Sequence, residues 1–181
     1  MAILPITVYG DKILRQKTKP VQSVSDDLIV TIKDMLDTMR NAKGVGLAAN
    51  QVGIDKSIFV VDLKGVEGYE KFKPMIFINP EIILQSDEKV VIEEGCLSLP
   101  TLRADVERSK MIKIRYLNTD EELMELEADD FLARVILHEY DHLIGKLIPD
   151  RVSENVKSLL ADELKKIKNR EVDIDYPITK L

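Results

Sequence analysis

The chain has 181 residues, 45% of them hydrophobic and 32% charged, which suits one globular domain with a sizeable core. Its net charge of -6 and pI near 5.1 argue against a surface that neutralises phosphates, so no direct nucleic-acid site is expected. No segment approaches the roughly 18 consecutive apolar residues of a spanning helix, the first ten residues lack the basic-then-apolar pattern of a secretory signal, and a single cysteine excludes an internal disulfide framework. We therefore expect a soluble cytoplasmic protein with no membrane partner, and separately take it to be a monomer.

The chain opens with an extended stretch carrying Ile3, Leu4, Pro5, Ile6 and Val8. Apolar residues at Leu28, Ile32, Met35, Leu36 and Met39 predict a helix to about Arg40, with Ser25 as cap and Asp26 and Asp27 in an acidic first turn. The run Gly44-Val45-Gly46-Leu47-Ala48-Ala49-Asn50-Gln51-Val52-Gly53 is too rich in glycine and small residues for a surface helix and reads as a tight, buried loop. Short β-branched runs then follow at Ile58–Leu63, Met75–Ile78, Glu81–Leu84, Val90–Glu93, Met111–Leu117 and Leu123–Leu126, with Gly65, Gly68, Pro74, Pro80 and Pro100 as breakers. Strands that follow one another without intervening helices favour antiparallel sheets.

Asp129 or Asp130 is expected to cap a helix that ends near Gly145 and carries Phe131, Val135, His138 and His142 on one stripe. A further amphipathic helix is predicted from about Asn155 to Lys168 through Val156, Leu159, Leu160, Leu164 and Ile167. Residues 1–170 then read as a single catalytic domain and 171–181 as an acidic, weakly structured C-terminal tail. The fold class is α+β: mostly antiparallel sheets packed around a central metal-binding helix, with N-terminal and C-terminal helices.

The chemistry concentrates in His138-Glu139-Tyr140-Asp141-His142. The chain has only two histidines, and their i, i+4 spacing lets both imidazoles reach one ion at about 2 Å from each ring nitrogen. Glu139 sits about 100° further round the helix, beside the ion rather than on it, where a general base for an attacking water belongs. The competing reading is an amphipathic helix with two ordinary histidines. A hydrolytic site keeps three protein ligands, and the third is Cys96, in Glu93-Glu94-Gly95-Cys96-Leu97-Ser98-Leu99-Pro100, or a downstream carboxylate such as Glu154 or Glu163. A lone cysteine is also often an inert buried hydrophobe.

Three segments in this order, Gly44 to Gln51, Glu94 to Ser98 and His138 to His142, resemble the signature motifs of the peptide deformylases. The resemblance covers roughly the first 150 residues and extends to the following helix, which is similar to the C-terminal helix of the family's type I members. It implies Cys96, His138 and His142 as metal ligands, Glu139 as catalytic acid and base, and hydrolytic removal of formate from the N-formylmethionine of nascent polypeptides met at the ribosome. The implied cofactor is one divalent ion per chain, Fe2+ in the cell, with Zn2+, Ni2+ or Co2+ as substitutes. It also implies that the Gln51 side-chain amide and the Leu97 backbone N–H donate to the developing oxyanion.

Around this centre, Gly46 is expected to let its backbone pair with an extended peptide that a side chain would block. Positions one or two turns before His138 face the same way, so Phe131, Arg134 and Val135 are expected to line the methionine slot, with Arg103 at its rim. A structural salt bridge is an equal reading of Arg134. Asp141 is similar to a residue that supports the ligands and is expected to pair with Arg108 and steady the Cys96 turn, unless it is an exposed helix charge. Asn50 departs from the proline expected before the glutamine, which bears on the rigidity of that loop. Two other functions fit the histidine helix alone: a zinc peptidase with a carboxylate third ligand, and a non-catalytic metal-binding module with a closed site.

Overall fold

The computed structural model describes residues 2–181. Helix α1 (Asp26–Asn41) starts where predicted, with the Ser25 hydroxyl accepting from the Leu28 N–H and Asp26 and Asp27 in the first turn. Its buried face is Leu28, Ile32, Met35 and Met39. The glycine-rich segment is buried, but it is more than a loop. It forms strand β1 (Gly46–Ala48) and a 3-10 turn (Ala49–Val52) closed by Gly53 in the left-handed region.

Strands β2 (Ile58–Val61), β3 (Met75–Gln85), β4 (Lys89–Cys96), β5 (Leu99–Ser109), β6 (Met111–Leu117) and β7 (Leu123–Asp129) follow. They form a five-stranded sheet in the order β1-β2-β3-β6-β7 and a separate β4-β5 ribbon. Every pairing between these strands is antiparallel. The two runs expected on either side of Pro80 are one strand, because the proline is absorbed in a bulge between Ile78 and Glu81. There Asn79 takes φ 49°, and its side chain exchanges two 2.8 Å hydrogen bonds with the backbone of Val21.

β5 was not expected at all, and Pro100 lies inside it rather than stopping it. Its alternation is clear, with Leu102, Ala104 and Val106 buried between exposed Thr101, Arg103, Asp105 and Glu107, but its inward side includes alanine and a buried arginine instead of a run of β-branched residues.

Helix α2 (Asp130–Leu143) lies at the centre, in contact with β1, β2, β7 and β5. No side-chain capping bond is made at its start, because Asp129 is still the last residue of β7, paired with Met111. The helix predicted over 155–168 is split into α3 (Glu154–Leu159) and α4 (Ala161–Lys168). Only α4 buries residues, Leu164 and Ile167, so the two turns of α3 have no face to anchor them in line with it.

β2 is buried on both sides of the sheet. Phe59 and Val61 join the core beneath α2 with Phe77, Ile112 and Ile136, while Ile58 and Val60 join the core beneath α1 with Leu28, Met35 and Leu47. A third core holds α4 against β5 through Leu102, Val106, Leu164 and Ile167. Residues 171–181 form no helix and no paired strand, but they are tied to the opening stretch of the chain. Ile178 bridges Ile6 in parallel, the Ile6 N–H donates to Pro177 C=O and the Thr179 N–H to Ile6 C=O, both at 2.9 Å.

Candidate active site

Three parts of the fold meet at one point: the start of β1, the turn between β4 and β5, and the middle of α2. They enclose a pocket of about 500 Å³. At its base Cys96 Sγ lies 3.2 Å from His142 Nε2, and His142 Nε2 lies 3.3 Å from His138 Nε2. Among the described residues this is the one group of three or more such side chains able to hold an ion, all its ligand atoms lying within 4.8 Å of one another. The alternative third ligands are elsewhere: Glu154 is exposed, and Glu163 accepts a 2.9 Å hydrogen bond from Thr101.

The donor set suits a divalent ion, since a thiolate and two imidazoles at these separations are what a tetrahedral site with bonds of about 2.0–2.3 Å requires. The electrostatics agree. His142 is pushed well below its ordinary pKa, first by burial and then by the charge of His138. His138 goes the other way: burial opposes its charge, but Cys96, Glu94 and Glu139 outweigh that. The carboxylates of Glu94 and Glu139 thus favour positive charge on His138, and burial keeps His142 neutral, the form that binds a metal.

Glu139 is buried, and its Oε2 has no hydrogen-bond partner. Burial pushes its pKa up to about 7, a range in which a carboxylate both accepts and returns a proton near neutral pH. Its surroundings change the expected reason for Gly46. A Cβ on Gly46 would come within 2.8 Å of Glu139 Cγ and Cδ, so the glycine first makes room for the carboxylate. Its backbone is nevertheless free on the outer side. The Asp62 N–H donates to Val45 C=O at 3.0 Å and Gly46 stands opposite Val61, so antiparallel alternation turns the Gly46 N–H and C=O away from β2. Gly46→Ala is expected to displace Glu139 and lower kcat by more than the about 1–3 kcal/mol of overpacking lowers stability; activity and thermal unfolding of the variant measure the two.

Gln51 is 1% exposed, so its amide lies inside the protein. Its Oε1 accepts from the Ala48 N–H at 2.8 Å, and its Nε2 donates to Ser98 Oγ at 3.1 Å and faces Cys96 Sγ at 3.6 Å. Leu97 lines the pocket, its side chain in the space left by Gly44, where a Cβ would sit 2.7 Å from Leu97 Cδ1. Phe131, Val135 and Arg103 also line the pocket, and Arg103 lies across Gly95.

Arg134 lines the pocket, and its guanidinium is engaged within the protein. Its guanidinium donates to Glu94 Oε1 at 2.9 Å, Val106 C=O at 2.7 Å and Val90 C=O at 2.5 Å. It therefore ties α2 to the β4–β5 ribbon. Asp141 is buried and accepts from Arg108 at 2.7 Å and from Arg151.

Glu94 is the residue that sequence reasoning passed over. It accepts from Arg108 at 2.6 and 3.0 Å, from Arg134, and is 2.9 Å from His138 Nδ1, an arrangement that turns His138 Nε2 toward Cys96 and His142. Burial opposes its ionisation, but the hydrogen bonds from His138 and Arg108 and the Arg108 charge hold its pKa well below the usual carboxylate range. Its place two residues before the only cysteine was the available signal. Asn50 was read only as a departure from proline. Its Nδ2 donates to His142 C=O at 2.6 Å, clamping the end of α2 to the turn that carries Gln51.

Known proteins match this chain over most of its length. The family described as polypeptide deformylase matches residues 3–158. The peptide deformylase of Rickettsia typhi is 47% identical over 175 residues, covering 95% of this chain and all of that protein. Crystal structures of the peptide deformylases from Thermotoga maritima (46% identity, TM-score 0.79, 84% of this chain and 99% of that one) and Legionella pneumophila (34%, 0.85, 94% and 98%) share the fold. With the fold and sequence shared from the first strand through α2, the chain belongs to the polypeptide deformylase family.

Proposed function

We propose that Cys96, His138 and His142 hold one divalent ion and that Glu139 moves the proton in the reaction of this family, the hydrolytic removal of formate from the N-formylmethionine of nascent polypeptides. The observation that carries the assignment is the convergence of the three ligand atoms beside a buried carboxylate oxygen without a partner. Held there, a divalent ion would acidify water and polarise the formyl carbonyl. Glu139 takes a proton from the attacking water and returns it to the methionine nitrogen as the C–N bond breaks. The Gln51 amide and the Leu97 N–H donate to the formyl oxygen as charge builds on it. The outward backbone of Gly46 pairs with the extended peptide, Phe131 and Val135 wall the methionine side chain, and Arg103 stands at the rim. Arg108 and Asp141, with Glu94, keep the ligands in place.

Ferrous iron is our choice for the cellular metal, with zinc, nickel or cobalt as substitutes; the thiolate of half-exposed Cys96 makes an iron form sensitive to oxidation. Nascent chains at the ribosome are the proposed partners and the cytoplasm the compartment, in keeping with the absence of any helix long and apolar enough to cross a membrane among the described residues. We take the protein to act as a monomer and read residues 1–170 as the catalytic domain. The test is formate release from N-formyl-Met-Ala-Ser by protein purified without oxygen, with the N-acetyl peptide as control. Cys96→Ala is expected to abolish metal binding and activity together; retention of metal by this variant supports the zinc-peptidase reading instead.

A further inference from the structure

The turn that carries Leu97 is short and makes little use of the ribbon it joins. The β4–β5 register shifts after Gly95, and Cys96 pairs directly with Leu99, so Leu97 and Ser98 lie outside the ladder. Their carbonyls are held by distant parts of the chain. Ser98 C=O accepts from the Tyr9 N–H at 2.9 Å, and Leu97 C=O accepts from the Tyr176 hydroxyl at 2.9 Å. Tyr176 is half-buried, lines the pocket and packs on the core beneath α1.

The segment bearing Tyr176 is fastened on its C-terminal side and meets an exposed ion pair on the other. Asp175 pairs with Lys43 at 2.6 Å, beside Gly44 and Gly46 on the opposite wall of the pocket. Pro177, Ile178 and Thr179 are bonded or bridged to Ile6, and Thr179 Oγ1 donates to Asp11 at 2.6 Å. The backbone ties at 177–179 and the packing of the ring keep the phenol at the Leu97 carbonyl, while the exposed pair at 175 adds little.

We propose that Tyr176 is a positioning residue of the reaction: by holding the Leu97 carbonyl it fixes the Cys96–Ser98 turn so that the Leu97 N–H stays aimed at the formyl oxygen. The inference rests on the assignment of Leu97 as an oxyanion donor. A donor that must be in place before charge develops contributes through its preorganisation, and a turn outside the ladder supplies none without an external hold. The C-terminal segment is then part of the site rather than an appendage to it.

The test compares wild type, Tyr176→Phe and Tyr176→Leu as full-length, metal-loaded protein on N-formyl-Met-Ala-Ser, with single-turnover rate, KM, metal content and thermal midpoint measured for each. Tyr176→Phe keeps the ring against the pocket and removes only the hydroxyl. It is expected to lower the single-turnover rate and kcat by about five- to tenfold, the scale of one hydrogen bond, with KM within about twofold of wild type and metal content unchanged. Tyr176→Leu must lose at least as much in kcat.

A wild-type rate in either variant overturns the proposal. So does a loss confined to KM, which makes Tyr176 a wall of the pocket only, or a loss in proportion to metal lost. Failure of the underlying reading is separate: it is seen when wild type itself releases no formate above the background of Glu139→Gln, whatever Tyr176 does.

Discussion

Glu139→Gln is expected to lower kcat at least about a thousandfold, within the range that a positioned acid–base group contributes, while the protein still binds its metal and KM changes little. The amide has the shape of the carboxylate but cannot accept the proton at neutral pH. Cys96, His138 and His142 keep their positions, because none of their hydrogen bonds runs through Glu139. The thermal midpoint should not fall, since the variant removes a buried ionisable group with an unpartnered oxygen. Formate release, metal analysis and a melting curve on the same preparation check the three parts. Activity like that of wild type would sink the assignment of Glu139 and favour a structural metal site.

Glu94→Ala carries the second large effect, and it falls on stability and metal affinity. The side chain is 5% exposed and pairs with Arg108 and Arg134, each also 5% exposed. Deleting it leaves the Arg134 charge without its carboxylate and Arg108 with Asp141 alone, so a cost of about 3–5 kcal/mol is expected. His138 loses its Nδ1 partner as well, and metal affinity should fall about 10–100-fold. Denaturant unfolding and competition with a chelator measure these. Because the folded-state pKa of Glu94 lies below its ordinary value near 4.5, its contribution is fully present above about pH 4.5 and is lost as pH falls toward the folded-state value. Wild type should therefore lose stability more steeply below pH 4.5 than Glu94→Gln. Parallel acid limbs would contradict the ion-pair account.

The site and the fold were legible to different degrees. Elements with local signals came through: Ser25 and the apolar stripe of α1, the β-branched run of β2, and the His138–His142 spacing of α2. Those whose outcome depends on neighbours did not. β5 hides its strand character behind Ala104, Arg108 and an early proline, and becomes a strand by pairing along β4 from Lys89 to Gly95. Pro80 reads as a break but is a bulge because Asn79 is held by Val21. The stripe over 155–168 reads as one helix, but only its second half meets a core.

His138, Glu139 and His142 could be assigned from order along the chain, because an α-helix has a fixed period and places i and i+4 on one face whatever surrounds it. Cys96 and Gln51 needed the resemblance of whole motifs, since no local rule links them to a helix more than forty residues away. The role of Glu94, the partners of Arg134 and the return of Tyr176 to the Leu97 carbonyl came only from the folded chain. Each depends on which partner lies within about 3 Å of a side chain, and the partners sit on different elements: Arg108 on β5, Arg134 on α2, Leu97 in the β4–β5 turn. Helical periodicity thus brought His138 and His142 to one face in advance, while tertiary packing selected the side chains that hold them and the Cys96–Ser98 turn in place.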